Sequence, residues 1–177
     1  MDLQISTTAN QQVATWTPPA CSQKLLQCLI NLENQHKPEA KLDLIMHIGQ
    51  LMPGGKPNYL DMVKYPMIKD LAPQMGKKKM ILLLVVMVKD FCSSLNVVRN
   101  MNEDQMIEAA SMLLDECDNF RMEDYLIMFS MAKRGELVKI MDRVDIQLIS
   151  SIMDKYWQRR DKCSIDDSFV RVRKGRF

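Results

Sequence analysis

Residues 80–88 are nine apolar residues in a row, with Lys77, Lys78 and Lys79 before them and Lys89 and Asp90 after. A membrane-spanning helix needs about 20 such residues, so this run predicts a buried core element and no membrane contact. A helix that is apolar all round belongs at the centre of a bundle. The β-branched Val85, Val86 and Val88 also fit a short buried strand. The lysine-rich start and the helical continuation through Phe91, Cys92 and Leu95 favour a helix over residues 76–96.

A central helix needs other helices to cover it, and the flanking sequence supplies them. Methionine occurs 16 times, glycine 6 and proline 7. Met, Leu, Lys, Gln and Glu lose little rotamer freedom in a helix. Leu25, Leu26, Cys28, Leu29 and Leu32 recur at helical spacing after Pro19. Leu42, Ile45, Met46, Gly49 and Met52 do so after Pro38, ending at Pro53-Gly54-Gly55. Two short helices so closely joined predict an αα-hairpin. Pro66 and Pro73 break residues 58–73 into short helical pieces or a loop. Asn102 and Gln105 have the spacing of a capping box, opening a helix with Met106, Ala110, Leu113, Leu114 and Cys117 inward and Glu108, Ser111, Asp115 and Asp118 outward.

The next helix, residues 122–134, has Glu123 and Asp124 at its start and Lys133, Arg134 and Gly135 at its end. Charges of these signs suit the helix dipole at both poles. Its expected core face is Tyr125, Leu126, Phe129 and Ala132. Asp142 or Asp145 caps a last helix running to about Lys162, with Leu148, Ile149, Ile152, Met153, Tyr156 and Trp157 as its stripe. The expected fold is therefore all-α, a compact bundle of about six or seven helices. Residues 1–19 form a flexible leader, and Trp16 is the residue there able to dock. Residues 20–163 form the helical domain, divided into 20–97 and 101–163, and residues 164–177 form a low-order basic tail. Alternation of Phe169, Val170 and Val172 allows a short strand in that tail, with no partner strand to match it.

Catalytic and metal chemistry find no matched residue set. The five cysteines (Cys21, Cys28, Cys92, Cys117, Cys163) are odd in number, and no two stand in C-x-x-C spacing. Residues 1–20 carry neither a basic nor an apolar signal segment, so reduced thiols in a cytoplasmic chain are expected. His36 and His47 have no His or Cys at ligand spacing, whereas zinc takes about four converging ligands. Gly55-Lys56 lacks the rest of a phosphate loop: Gln50 stands where the first glycine belongs, and Pro57 where the hydroxyl belongs. No Ser or Cys sits in a nucleophile motif. The expectation is a protein that is not an enzyme and takes no cofactor.

Charge layout carries more than the net charge of +2. Residues 101–125 hold eight acids against Arg121, so the 102–118 face is a candidate contact for a protein partner. Residues 155–177 hold eight bases against three acids. Lys155, Arg159, Arg160, Lys162, Arg171, Arg173, Lys174 and Arg176 are the candidate nucleic-acid contacts. Arginine pairs with phosphate in a bidentate way, and a basic segment adds salt-sensitive affinity. Tyr156 and Trp157 among them either stack on bases or belong to the core, as their helical register favours.

The segments Met122-Glu123-Asp124-Tyr125, Met131-Ala132-Lys133-Arg134-Gly135-Glu136, Met141-Asp142-Arg143-Val144-Asp145 and Tyr156-Trp157-Gln158-Arg159-Arg160 carry a resemblance. They resemble a family of small helical proteins from Bacteroidetes genomes, phages and mobile elements, whose function is not established. The match covers residues 121–160. Its motif residues here are Lys133, Arg134, Gly135, Asp142, Arg143, Asp145 and Tyr156. This chain departs from the family pattern at Arg121, at Ile127-Met128 and at Ile146. The resemblance implies, by analogy with replication-accessory and helicase-loader proteins, an adaptor in nucleic-acid transactions. A protein–protein interaction module without nucleic acid is the alternative.

Overall fold

The computed structural model describes residues 38–174, together with Gln27, Leu29 and Ile30, and describes side chains as far as Cys163. The leader with Trp16, most of the helix expected over residues 21–34, and Arg176 lie outside the described residues. Within residues 38–174 six α-helices follow in order: α1 (Pro38–Leu51), α2 (Ile68–Met75), α3 (Lys77–Ser93), α4 (Glu103–Glu116), α5 (Met122–Lys133) and α6 (Ile146–Lys174). Two 3₁₀ turns, Pro53–Gly55 and Asp61–Lys64, lie between α1 and α2. The described residues contain no strand, only two isolated bridges, Met67 with Arg121 and Arg99 with Arg143. The fold is all-α, and residues 76–96 are helical at their centre.

Local chemistry explains the helix boundaries. The Asn102 side chain accepts from the Gln105 amide at 2.9 Å, and Gln105 Oε1 accepts from the Asn102 amide at 3.0 Å. Between the two candidate caps of α6, the structure selects Asp145, whose Oδ1 accepts from the Leu148 amide at 2.8 Å. Asp142 instead gives its carbonyl to the Arg99 amide at 3.0 Å, and the Val144 amide donates to the Arg99 carbonyl at 2.9 Å. Replacing Asp145 with alanine is expected to cost about 1 kcal/mol in urea unfolding, the usual cost of a lost cap. The same change at Asp142 leaves its backbone bond in place and should cost far less.

α2 begins where the Ile68 and Lys69 amides donate to the carbonyls of Phe120 and Asp118, at 2.7 and 2.9 Å. Those two bonds satisfy amides that a helix start leaves open. Pro73 sits inside α2 and deletes one helical hydrogen bond. The helix ends soon after at Gly76, whose φ of 86° turns the chain into α3 without side-chain strain.

The end of α6 differs from expectation. The helix does not stop near Lys162 but continues to Lys174. Most of the basic tail is therefore helical, and the strand considered for residues 169–172 does not form. The segment holds few helix breakers: glycine returns only at Gly175, so propagation from an already packed helix proceeds.

Packing also reverses one face. α3 packs most extensively on α4, and α5 is surrounded by α1, α3 and α6. On α1, most of the stripe expected inside is outside: Leu42, Ile45 and Met46 are 57%, 56% and 58% exposed, whereas Met52, just past the helix, is buried as expected. Leu44, His47 and Leu51 are buried instead, with Ile48 half-buried. The sequence of α1 carries two apolar stripes, and each keeps helical spacing. Burial is worth roughly 1.5–3 kcal/mol per large apolar side chain, so periodicity alone does not choose between them. The neighbours chose the stripe that meets α5.

Candidate nucleic-acid interface

The candidate bases on α6 fall into two groups. Lys155, Arg159 and Lys162 are exposed and follow one another at i, i+4 and i+7, one side of a helix. Arg160 turns inward. Its Nη2 donates to the Asn119 carbonyl at 3.3 Å, its guanidinium lies 5.0 Å from the Phe120 ring centre, and its Nε is 3.4 Å from Asp124 Oδ1. Arg171, Arg173 and Lys174 lie on the helical extension of α6.

Tertiary structure joins this helix side to the connection after α5. Glu136 Oε1 accepts from Arg134 Nε at 2.6 Å, and Glu136 Oε2 is 3.3 Å from Arg159 Nη1. Arg134 also donates through Nη2 to the Gly55 carbonyl at 3.2 Å and through Nη1 to Ser130 Oγ at 3.2 Å. The guanidinium thus ties the end of α5 to the Pro53-Gly54-Gly55 turn, so the Gly55 carbonyl of the phosphate-loop-like pair serves a structural contact. Beside Arg134 an open cleft of about 520 Å³ is lined by Asn96, Lys133, Lys139, Ile140 and Met141, among others. Lys139 was not among the residues singled out from sequence. Nothing in its neighbourhood along the chain marks it, because the cleft is closed by residues 95–97 from the α3–α4 connection.

The family-like motif residues hold the backbone. Lys133 donates to Asp90 Oδ2 at 2.8 Å. Gly135, at φ 72°, ends α5 with its amide on the Ala132 carbonyl at 2.9 Å. Arg143 pairs with Asp145 at 2.9 Å beside the bridge to Arg99. Tyr156 is fully buried and its hydroxyl donates to Asp124 Oδ1 at 2.7 Å. Trp157 is 36% exposed and lies 5.7 Å from the Phe120 ring. Tyr156 is thus a core residue, and Trp157 is the aromatic of the pair that reaches the surface.

Beneath this surface lies an unexpected node of buried charge. Residues 121–129 are buried without interruption, although they include Arg121, Glu123 and Asp124. The two acids whose charge suits the start of this helix are inside. Asp124 Oδ2 accepts from the Arg121 amide at 2.8 Å, the reach-back half of a capping box. The forward half is absent because a guanidinium has no acceptor; Arg121 Nε instead donates to the Tyr65 carbonyl at 2.9 Å. Burial pushes the Asp124 carboxyl up, against the opposing pull of Arg160, Tyr156 and Arg121. Glu123 is 1% exposed, and its Oε1 has no hydrogen-bond partner. Burial, with Asp124 adding to it, raises Glu123 to about 7.

The remaining candidates are placed as follows. Glu108 on α4 and Asp118 just past its end are exposed, and Asp115 pairs with Lys77 at 2.7 Å, leaving an acidic outer face. Burial raises the Cys92 and Cys117 thiols to about 11 and about 12, far from the thiolate form that reacts. His47 is buried, 6.2 Å edge-on from the Tyr65 ring. Among the described residues, no three His, Cys, Asp or Glu side chains converge as a metal site would require, and no helix is long and apolar enough to cross a membrane.

Compared with protein-family models, curated proteins and solved structures, the chain matches none.

Proposed function

We propose that this chain is a non-enzymatic helical adaptor in nucleic-acid transactions, of the replication-accessory or helicase-loader kind, serving a phage or mobile element. The observation that supports the reading is the pairing of Arg134 and Arg159 on one carboxylate, Glu136. It makes one surface of two basic segments that are distant in sequence. Lys139 borders that surface in the cleft, and Lys155 and Lys162 extend it along α6. A phosphate backbone laid along α6 would exchange Glu136 for phosphate oxygens on both arginines, the bidentate chemistry arginine favours. The reading uses α6 as a rigid rod and so includes Arg171, Arg173 and Lys174 on its extension.

Fluorescence anisotropy with labelled single-stranded and duplex DNA tests it. If about four phosphates are neutralised, affinity for duplex should fall on the order of 100-fold between 50 and 200 mM salt. The triple variant Lys139→Glu, Lys155→Glu, Lys162→Glu, all at exposed positions, should abolish binding while keeping the helical spectrum. Binding that ignores both salt and these reversals would sink the proposal. A second reading, contact with a partner protein alone, draws support from the exposed Leu42, Ile45 and Met46. It predicts no DNA affinity at low salt.

A further inference from the structure

A cavity of about 270 Å³ opens between α1, α3 and α5, and no residue of α6 lines it. Its walls are apolar: Leu44 from α1, Val86 and Met87 from α3, Leu126 and Phe129 from α5. Its polar residues are concentrated in one group. Asp90 receives Lys133 at 2.8 Å and Lys41 at 3.3 Å, and all three line the cavity. Ser130 adds a hydroxyl. Burial pushes the Asp90 carboxyl up, but the two lysines outweigh it and hold it below the usual carboxylate range. Asp90 is therefore charged, and two ammonium groups share one carboxylate. The group carries a net charge of +1, against a greasy interior.

An apolar chamber with a single net positive group fits one ligand chemistry. We propose that this cavity binds a medium-chain amphiphilic monoanion, its carboxylate between Lys41 and Lys133 and its alkyl chain against Leu126 and Phe129. Size limits the chain. The chamber has room for about nine groups of the volume of a water molecule, ~30 Å³ each, which matches a carboxylate on a chain of about seven or eight carbons. A neutral alcohol of that length gains the same apolar burial but adds no second anion for the two ammonium groups that share Asp90. An amine adds a third cation to the same group. The cavity shares Lys133 with the cleft beside Arg134, but Lys41 and Asp90 do not line that cleft, so Lys41→Met tests the inference apart from the nucleic-acid reading.

Isothermal titration of octanoate into the full chain, with octanol and octylamine alongside, tests this. Octanoate should bind saturably at one site, and octanol about tenfold more weakly for want of the charged contact. Octylamine should not bind. Lys41→Met should bring octanoate down to the level of octanol, and Ile45→Trp, at an exposed residue lining the cavity, should block both octanoate and octanol. Circular dichroism melts check that both variants fold, which exposed positions permit. Octanoate binding that is absent, that exceeds one site, that octanol equals, or that survives Ile45→Trp would each overturn the assignment.

Discussion

Replacing Asp124 with alanine is expected to cost about 3–5 kcal/mol, the magnitude seen when one partner of a buried charged network is removed. The carboxylate is fully buried and serves three groups at once. It accepts the Arg121 amide at 2.8 Å and the Tyr156 hydroxyl at 2.7 Å, and it lies 3.4 Å from Arg160 Nε. Alanine leaves a buried hydroxyl, an open helix-start amide and a mostly buried guanidinium without their acceptor. Each unsatisfied group costs about 1–3 kcal/mol. Domains of this size hold roughly 5–15 kcal/mol in all, so the loss is a large fraction of the total stability. Asparagine keeps the shape and one acceptor and should lose about half as much. Urea unfolding followed by far-UV circular dichroism measures both. A loss below about 1 kcal/mol for alanine would mean that the node does not join α5 to α6.

Glu123 presents the opposite case, a buried acid whose removal should help. Its folded value is about 7 against an ordinary 4.5, with burial as the main cause. The folded state therefore holds a proton that the unfolded chain releases between pH 4.5 and pH 7. Where the native state binds more protons, stability falls as pH rises. The contribution of Glu123 is thus most favourable below pH 4.5, declines through that window and levels off above about 7. The window corresponds to about 3 kcal/mol. Glu123→Gln cannot ionise, so its stability should lack this decline and exceed the natural chain by up to about 3 kcal/mol at pH 8. The raised Asp124 carboxyl acts in the same direction in both proteins, and the lowered Asp90 carboxyl in the reverse direction. The difference between the two unfolding curves isolates Glu123. Parallel curves from pH 4 to pH 8 would show that the Glu123 carboxyl is ionised and solvated in the native state.

These two acids mark where reading the chain in order stops working. Glu123 and Asp124 stand at a helix start, where a negative charge suits the dipole, and acids of these types are seldom fully buried. Their burial follows from elements distant in sequence: the Tyr65 carbonyl that takes Arg121, and Tyr156 and Arg160 on α6. The same holds on α1, where Leu42 and Leu44 are equally apolar and only the docking of α5 decides which is covered. It holds for the candidate interface too. Arg159 was legible as a surface cation, but Arg134 reaches it through a fold-back of the chain around Glu136.

The order and type of the helices from residue 76 to residue 162 followed from local signals, whereas α2 and the extension of α6 to Lys174 did not. Backbone hydrogen bonding, capping and rotamer freedom act within a few residues, so Asn102 with Gln105, Gly135 after Lys133, and the 80–88 run declare themselves locally. Which face of each helix is covered, which charges are buried and which cations meet were decided only by packing. Those outcomes depend on desolvation and on partners brought together from positions tens of residues apart, and no periodicity along one segment encodes them.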